Sequence, residues 1–525
     1  MKKPFLSPSD TPPPFVARHQ DDVIGMLQGF DRLRLQGTLR ALYFPEIMQE
    51  YLWQAKVLWK DFKSFATGLT QRMRAEIESL AREAQRPVLY LPSSQTRKET
   101  LAKEIAQRDG VEQGLVAVFS CVEACRAYRA VGNRQSQKLE LRLQEGRCTH
   151  LYVYLIDEVV GWVHLRLQTW FPFLIQICLN GREWLARRLS QEGIGFRRVD
   201  NALPWIEEVA RAQQLMDQQL STDWPGLCER LVAGCHPLQS EILAPLSLSY
   251  YWTVAESEYA SDVMFRDRAA LERIYPGLVR FGMQGLHCDQ VLRYLGCRRP
   301  EIFAGEVHSD SRRRQEGVRL KHWVNRNSLK MYDKGSILRV EATINDPSEF
   351  KVYRGPENDQ HAPKRWRVLR RSTADTFRRA QVSQAATKRY LEAMSSVEPG
   401  SALGQQAQAL CRPVRKGTKR YRALNPFAPG DARLLKAICA GEFLIHGLRN
   451  RDLRQALFAQ AKNKLQQRRQ SAAITRQLAL LRAHRLIAKV PKSHRYHLTP
   501  RGRRLISAFQ AAQNSDIDQL LKLAA

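Results

Sequence analysis

Residues 327–344 read NSLKMYDKGSILRVEATI. Two runs with alternating apolar residues flank the turn-forming Asp-Lys-Gly-Ser, which predicts a β-hairpin. Alternate side chains of a strand share a face. Leu329, Met331, Leu338 and Val340 are therefore expected on a buried side, with Lys330, Tyr332, Lys334, Arg339 and Glu341 opposite them. Lysine and arginine neutralise phosphates, and a tyrosine ring stacks a base or attacks phosphorus as a nucleophile. Glu341 is the member that a purely phosphate-gripping face does not need, because a carboxylate repels the backbone. It becomes useful if it holds a divalent cation, Mg2+ or Mn2+, that neutralises it and activates a phosphodiester. AESEYASDVMF offers further carboxylates, since Glu256, Glu258 and Asp262 share a face if that stretch is extended. The expected site has Tyr332 attacking, Lys330, Lys334 and Arg339 fixing the phosphate, and Glu341 with Glu258 or Asp262 on the cation.

Elements that would position these groups follow from the same periodicity. GWVHLRLQT places His164, Arg166 and Gln168 on one side and Val163, Leu165 and Leu167 on the other. GVRLKHWV sets Arg319 and Lys321 against Val318, Leu320 and His322. The segments agree on a sheet with an apolar face against helices and a basic face, on which His164, Arg166, Arg319 and Lys321 are candidate nucleic-acid ligands. His322 alternates onto the apolar side and reads as a hydrogen-bonded core histidine. The aromatic run Trp170-Phe171-Pro172-Phe173 reads as core, and Asn180-Gly181 as a type I′ turn.

At 525 residues the chain exceeds one hydrophobic core and should form three or four units. Its 83 Lys and Arg against 52 Asp and Glu give +31, and the excess is uneven. Residues 351–525 hold 36 cations and 10 anions, a balance of +26. A polyanion would be gripped mainly by this third, through counterion-releasing phosphate contacts. No apolar run is long enough to span a bilayer, and no amphipathic helix carries bulky aromatics for a membrane surface. Nucleic acid is the expected partner, DNA ahead of RNA. MKKPFLSPSDTPPPF lacks the apolar core of a secretory signal, and ten scattered cysteines read as reduced thiols of a cytoplasmic protein. Cys121, Cys125, Cys148 and His150 cluster in sequence, but C-x3-C with C-x-H is not a common zinc spacing.

Along the chain, residues 1–15 read as a flexible tail and 16–109 as a helical region. Residues 110–355 read as an α+β domain with an antiparallel sheet interrupted by a helical insertion. Residues 356–430 read as a long basic helix and linker, and 431–525 as a separate module. No internal repeat is legible. In that last module three helices precede LIAKV and RYHLT, which pair across a turn, and TPRGRRLISAF opens another helix. The order resembles a winged-helix domain, with "L-I" leading into the wing and "L-T-x-x-G" leaving it. The resemblance implies a third helix in the major groove, with Arg469, Thr475, Arg476 and Arg482 toward DNA and Lys489, Lys492 and Arg495 on the wing.

Tyr-Asp-Lys-Gly followed by Leu-Arg-Val-Glu is similar to the hairpin of rolling-circle replication initiators of plasmids and filamentous phages. That resemblance covers under 20 residues and implies cutting of one DNA strand by Tyr332 with a metal. The pair of histidines flanking an apolar residue that many such enzymes carry is absent, and WVHLRLQ holds only His164. The chain also resembles a group of bacterial proteins sharing QTWFPF, NGREWLA and KMYDK-type stretches, which implies no activity. The reading is a DNA-binding protein with metal-dependent strand nicking or transfer, in a mobile-element or replication setting. The alternatives are a winged-helix regulator without catalysis, and an RNA-binding protein of a ribonucleoprotein or defence system.

Overall fold

The computed structural model describes residues 13–133, 138–297, 303, 305–314, 317–356, 363–395, 403–439, 443, 447–490, 493–514 and 516. The chain divides into two units, Met1–Val397 and Glu398–Ala525. It is a mixed α+β protein, and the first unit is built on one large sheet.

That sheet takes β1 (Val23–Thr38), β2 (Val88–Tyr90), β3 (Gly114–Asn133), β4 (Lys138–Asp157), β5 (Gly161–Gln168) and β6 (Ile175–Asn180) from the first stretch of the chain. A small separate hairpin follows, β7 (Phe196–Val199) with β8 (Ala202–Ile206). The sheet then adds β9 (Tyr251–Phe265), β10 (Val307–Arg314), β11 (Gly317–Val324), β12 (Asn327–Asp333) and β13 (Ile337–Ile344). Across it the order is β10-β11-β12-β13-β9-β1-β6-β5-β4-β3-β2. Every pairing is antiparallel except the short parallel edge of β2 on β3.

The order contains a duplication that the sequence does not announce. β1 is followed by helices, then by the meander β3-β4-β5-β6, whose last strand returns to pair with β1. β9 is likewise followed by helices, then by the meander β10-β11-β12-β13, whose last strand returns to pair with β9. The two five-stranded halves meet at the antiparallel β1–β9 pair, where Arg32 faces Glu258. Equivalent positions follow from the registers: Glu341 faces Lys330 in one half, as Cys178 faces His164 in the other. A repeat encoded only in pairing is invisible at the residue level when the paired side chains differ this much.

Two expected boundaries move. Residues 16–109 are not a separate helical region, because VIGMLQGFDRLRLQGT alternates and forms the central strand β1. RWRV at 365–368 is a strand paired with Lys351–Arg354 and not part of a basic helix, which begins only at Thr376. That helix, Thr376–Met394, packs on the apolar face of β9 and β13, so the unit continues past residue 355. HSDSRRR lies in β10.

One face of the sheet is mainly apolar, apart from a polar cluster where Ser257 and Ser261 of β9 meet Arg379 and Thr387 of the helix above. Leu33, Leu35, Val163, Leu165 and Ile177 pack against the helices Pro45–Gln54 and Phe62–Glu83. Leu320, Leu329, Met331, Leu338 and Val340 pack with Leu271 and Ile274 of the helix Arg268–Arg280 and Tyr390 of Thr376–Met394. His322 lies here, fully buried and hydrogen-bonded to Ser309 and Tyr390, as its parity predicts. Each such large apolar side chain contributes roughly 1.5–3 kcal/mol by leaving water, so this face holds the unit together and leaves the other face for chemistry. Asn180 does not form a turn of type I′; it caps the helix Gly181–Gln191, accepting from the backbone of Arg182 and Glu183. A side chain at Gly181 would bring a Cβ within 2.0 Å of the Phe30 carbonyl, so only glycine lets this helix start against β1.

In the second unit the helices Pro429–Ile438, Asn450–Leu457 and Lys464–Ala483 precede a hairpin of Ile487–Lys489 with Tyr496–Leu498, then the helix Pro500–Asn514. Leu434, Leu453, Ile474, Leu481, Leu486 and Ile506 form its core. The expected linker up to residue 430 is partly folded into it: the helix Leu403–Leu410 and Leu424 join this core, and Arg422 pairs with Asp431 at 2.6 Å. Lys492, and residues 1–12 of the expected tail, lie outside the described residues, whereas Phe15 is buried in the helix Pro14–Arg18.

Candidate functional site

The polar face crosses the sheet, with bulges in the β1–β9 pair at Phe30/Arg32 and Arg34/Leu35. From one edge it carries Arg319 and Lys321 on β11, Lys330 and Tyr332 on β12, and Arg339 and Glu341 on β13. It continues with Glu256, Glu258 and Asp262 on β9 and Arg32 and Arg34 on β1. Cys178, His164 and Arg166, and Tyr152 and Tyr154 carry it on through β6, β5 and β4. The expected hairpin and its two-sidedness are present. What differs is how much of the face is open.

Its middle is a cleft of about 440 Å³ whose lining includes Arg32, Arg319, Lys321, Trp323, Lys330 and Tyr332. Toward the β12–β13 turn the face is roofed. The helix Gly181–Gln191 and the β7–β8 hairpin lie over Asp262 and Arg339, which changes the roles of both. Arg339, 1% exposed, grips Asp262 with two nitrogens at 2.6 and 2.9 Å. It also donates to Asp31 at 3.0 Å and to the Asn201 carbonyl at 2.7 Å. Arg182 closes on Asp262 from the other side at 3.0 Å. Asp262 is thus saturated by two guanidiniums, which outweigh burial and hold its carboxyl below the usual range. Arg339 and Asp262 form a buried ion-pair network and face no ligand, which corrects their expected phosphate and metal roles. Lys334 is drawn to Asp200 of the hairpin at 3.7 Å and also does not line the cleft.

The floor of the open part is a charge cluster. Lys330 lies between Glu258 and Glu341, its Nζ 2.7 and 2.5 Å from their Oε1 atoms. Thr343 donates to Glu341 at 3.2 Å, and Arg32 pairs with both Glu256 and Glu258 at 3.1 Å. Asp31, a residue the sequence reading passed over, completes a set with Glu258 and Glu341 in which carboxylate oxygens lie within 4.8 Å of one another. Glu341 is only 2% exposed, so it sits beneath the cleft and not on its surface. Burial, with Glu258 and Asp31 alongside, outweighs Lys330 and lifts its carboxyl to about 7. For Glu258 burial pulls upward, but Lys330 and Arg32 win and the carboxyl stays below the ordinary range. Three oxygens at this spacing fit a hard divalent cation, with the singly charged Lys330 ammonium as the competing positive group.

Around the rim the groups are cationic and aromatic. Lys321 lies over the Trp323 ring with its nitrogen 4.1 Å from the centroid. Burial, then the cations Lys330 and Arg319, press its pKa down to about 8. Tyr332 is half-buried between Arg319 and Arg339 in the strand register. Burial, then Glu341, raises the Tyr332 phenol, which keeps its proton at neutral pH.

The other half of the face is differently furnished. His164 stacks on Tyr154, with centroids 4.9 Å apart at 27°, and burial presses the imidazole down to about 4. Arg166 is tied to Glu123 at 2.9 Å and to the Tyr152 hydroxyl at 3.0 Å. These two expected phosphate ligands are therefore a neutral stacked ring and a paired guanidinium. In the second unit Arg469, Arg476 and Lys489 are exposed, and Arg482 and Arg495 are half-buried. Thr475 accepts from Asn450 at 3.0 Å and donates to the Ser471 carbonyl, so its hydroxyl is engaged within the module.

Asp31, Arg32, Trp323 and Arg182 were missed by sequence reasoning. A signal for Arg32 existed: in FDRLRLQGT, Arg32 and Arg34 alternate with Leu33 and Leu35, the period of a half-buried strand, whereas Asp31 sits at a bulge that breaks this alternation. No protein-family model, curated protein or solved structure matches this chain.

Proposed function

We propose that this is a DNA-binding protein whose sheet face receives one strand across the cleft between Arg32 and Arg319. The carrying observation is the convergence of Arg32, Arg319 and Lys321 on a concave surface that also presents Tyr332 and Trp323. Cations that follow a backbone beside aromatic rings that stack bases are what single-strand recognition requires. The second unit, with its helix order and terminal hairpin, is read as a winged-helix module that docks duplex through Arg469, Arg476 and Lys489. Its position within the basic C-terminal third favours the same partner.

A second reading adds strand cleavage, and the Asp31, Glu258 and Glu341 set beside Tyr332 favours it. A Mg2+ or Mn2+ ion would supply charge neutralisation and lower the barrier to phosphoryl transfer. The chain's own part would be to exchange Lys330 away from the carboxylates and to present the Tyr332 hydroxyl to phosphorus. Labelled single strands, duplexes and RNA of one sequence, titrated by fluorescence anisotropy, test the first reading. Single-stranded DNA binding tighter than RNA, weakened by Arg319→Ala and Lys321→Ala together, supports it; indifference to all three overturns it. Supercoiled plasmid with Mg2+ or Mn2+ tests the second. Nicking with a protein–DNA adduct, abolished by Tyr332→Phe, supports cleavage. Absence of both products under conditions where binding is intact rejects it.

A further inference from the structure

Beyond the end of β5 the long β3–β4 pair leaves the sheet. β5 covers β4 only from His150 to Asp157, while β3 and β4 stay paired out to Asn133 and Lys138 as a two-stranded arm. At the base of that arm, on the polar face, are Cys125 of β3 and Cys148 and His150 of β4. Their Sγ and imidazole nitrogen atoms lie within 4.8 Å of one another. Cys121 stands directly across from His150 in the register, on the same face.

We propose that Cys125, Cys148 and His150 form a zinc-class metal site that clamps the base of this arm. The donor set is two thiols and an imidazole, the soft and borderline ligands that Zn2+ takes and that Mg2+ and Ca2+ do not. The two sulfurs are 3.2 Å apart. Two thiolates on one tetrahedral zinc stand about 3.7 Å apart for bonds of about 2.3 Å, so a small rotamer adjustment opens the site. His150 is fully buried; its Nδ1 lies 4.0 Å from Cys148 Sγ, and its Nε2 has no hydrogen-bond partner. A buried imidazole left unsatisfied is costly, and a metal bond removes part of that cost.

Charge accounting favours the same conclusion. Glu123 shares this face, but its carboxylate is already held by Lys98 at 3.1 Å, Arg166 at 2.9 Å and the Tyr152 hydroxyl at 2.7 Å. Those two cations and one anion form a closed group that does not compete for the metal. Tyr128 and Leu141 anchor the arm in the core of the unit, and a clamp linking β3 to β4 would add a cross-link where pairing with β5 ends. The site lies on the half of the face outside the proposed strand cleft and is independent of that function.

The test uses the full-length chain purified without chelators. Elemental analysis should find one zinc per chain, released when the thiols are titrated with a mercurial. Cobalt loaded in its place should give a thiolate-to-cobalt charge-transfer band. Cys125→Ser and His150→Ala should lose the zinc, while Cys411→Ser keeps it. Amide exchange along Ala124–Asn133 should speed up after chelation in the unsubstituted protein, a readout that needs no variant to fold. Protein free of zinc that gives no cobalt band overturns the proposal. So does a Cys125–Cys148 disulfide in non-reducing peptide maps of protein prepared under reducing conditions.

Discussion

The two halves of the sheet share one pairing plan and fill it with opposite chemistry. Lys321, Lys330 and Glu341 face one another across β11, β12 and β13. Tyr154, His164 and Cys178 occupy the corresponding places on β4, β5 and β6. One row is charged and borders a cleft; the other is neutral, stacked and built around a thiol. Backbone pairing therefore sets where a side chain stands but not what its surroundings make of it. The β1–β9 seam, with Arg32 against Glu258, is where the charged region begins. Buried charge needs partners on every side, and the second half recruits them from both: Asp31 from β1, Arg182 and Asn201 from beyond β6.

The largest break in this comparison should come from Arg339→Met. Removing one partner of a buried network leaves Asp262 and Asp31 under-compensated, and the expected loss is about 3–5 kcal/mol of stability. Gln176→Met, the equivalent position on β6, should change stability by less than about 1 kcal/mol. Urea unfolding of both variants checks the contrast, and equal losses would mean that the network is not what holds this end of the sheet.

A smaller effect separates the halves as polyanion surfaces. Arg319→Ala with Lys321→Ala should weaken single-strand binding roughly tenfold and flatten its salt dependence by about one phosphate per residue. Arg166→Gln should leave the salt slope unchanged, because that guanidinium is committed to Glu123. The Lys321 ammonium is lost as pH rises through about 8, so affinity should fall across that range, and Lys321→Arg should remove the fall.

The subtlest contrast concerns Glu341. Its folded pKa of about 7 exceeds the ordinary 4.5, so the folded state holds this proton more tightly than the unfolded one. The stability tied to that proton is complete below the unfolded value and is lost as pH rises through about 7. Glu341→Gln cannot lose such a proton, so its melting temperature should gain on the unsubstituted protein by a few degrees as pH rises over that window. Cys178→Ser at the equivalent position should show no such trend there, since burial lifts that thiol to about 11. A Glu341→Gln curve parallel to the parent would remove the elevated carboxyl from the account.

Parity was readable at β5, β11, β12 and β13. Lys330, Tyr332 and Glu341 share a face with Arg319, Lys321 and Glu258, as the alternation of NSLKMYD, ILRVEATI and GVRLKHWV implies. Exposure was not readable, because the roof over Arg339 comes from Asn201, 138 residues away in the chain. The alternation in β1 was present but masked by the helical stretches after it, so Arg32 went unnoticed until pairing placed it beside Glu258.

By itself, the amino-acid order determined which side of β5, β11, β12 and β13 is apolar, where the cations concentrate, and which element types follow one another. These are local properties, set by a period of two or by composition. Only the folded chain decided which charges neutralise each other and which remain at the cleft. It also decided that two dissimilar meanders are one plan used twice, and that three sulfur and nitrogen donors meet at the base of an arm. Those outcomes depend on strand register and on cover from distant segments, and both arise from packing that no short stretch encodes.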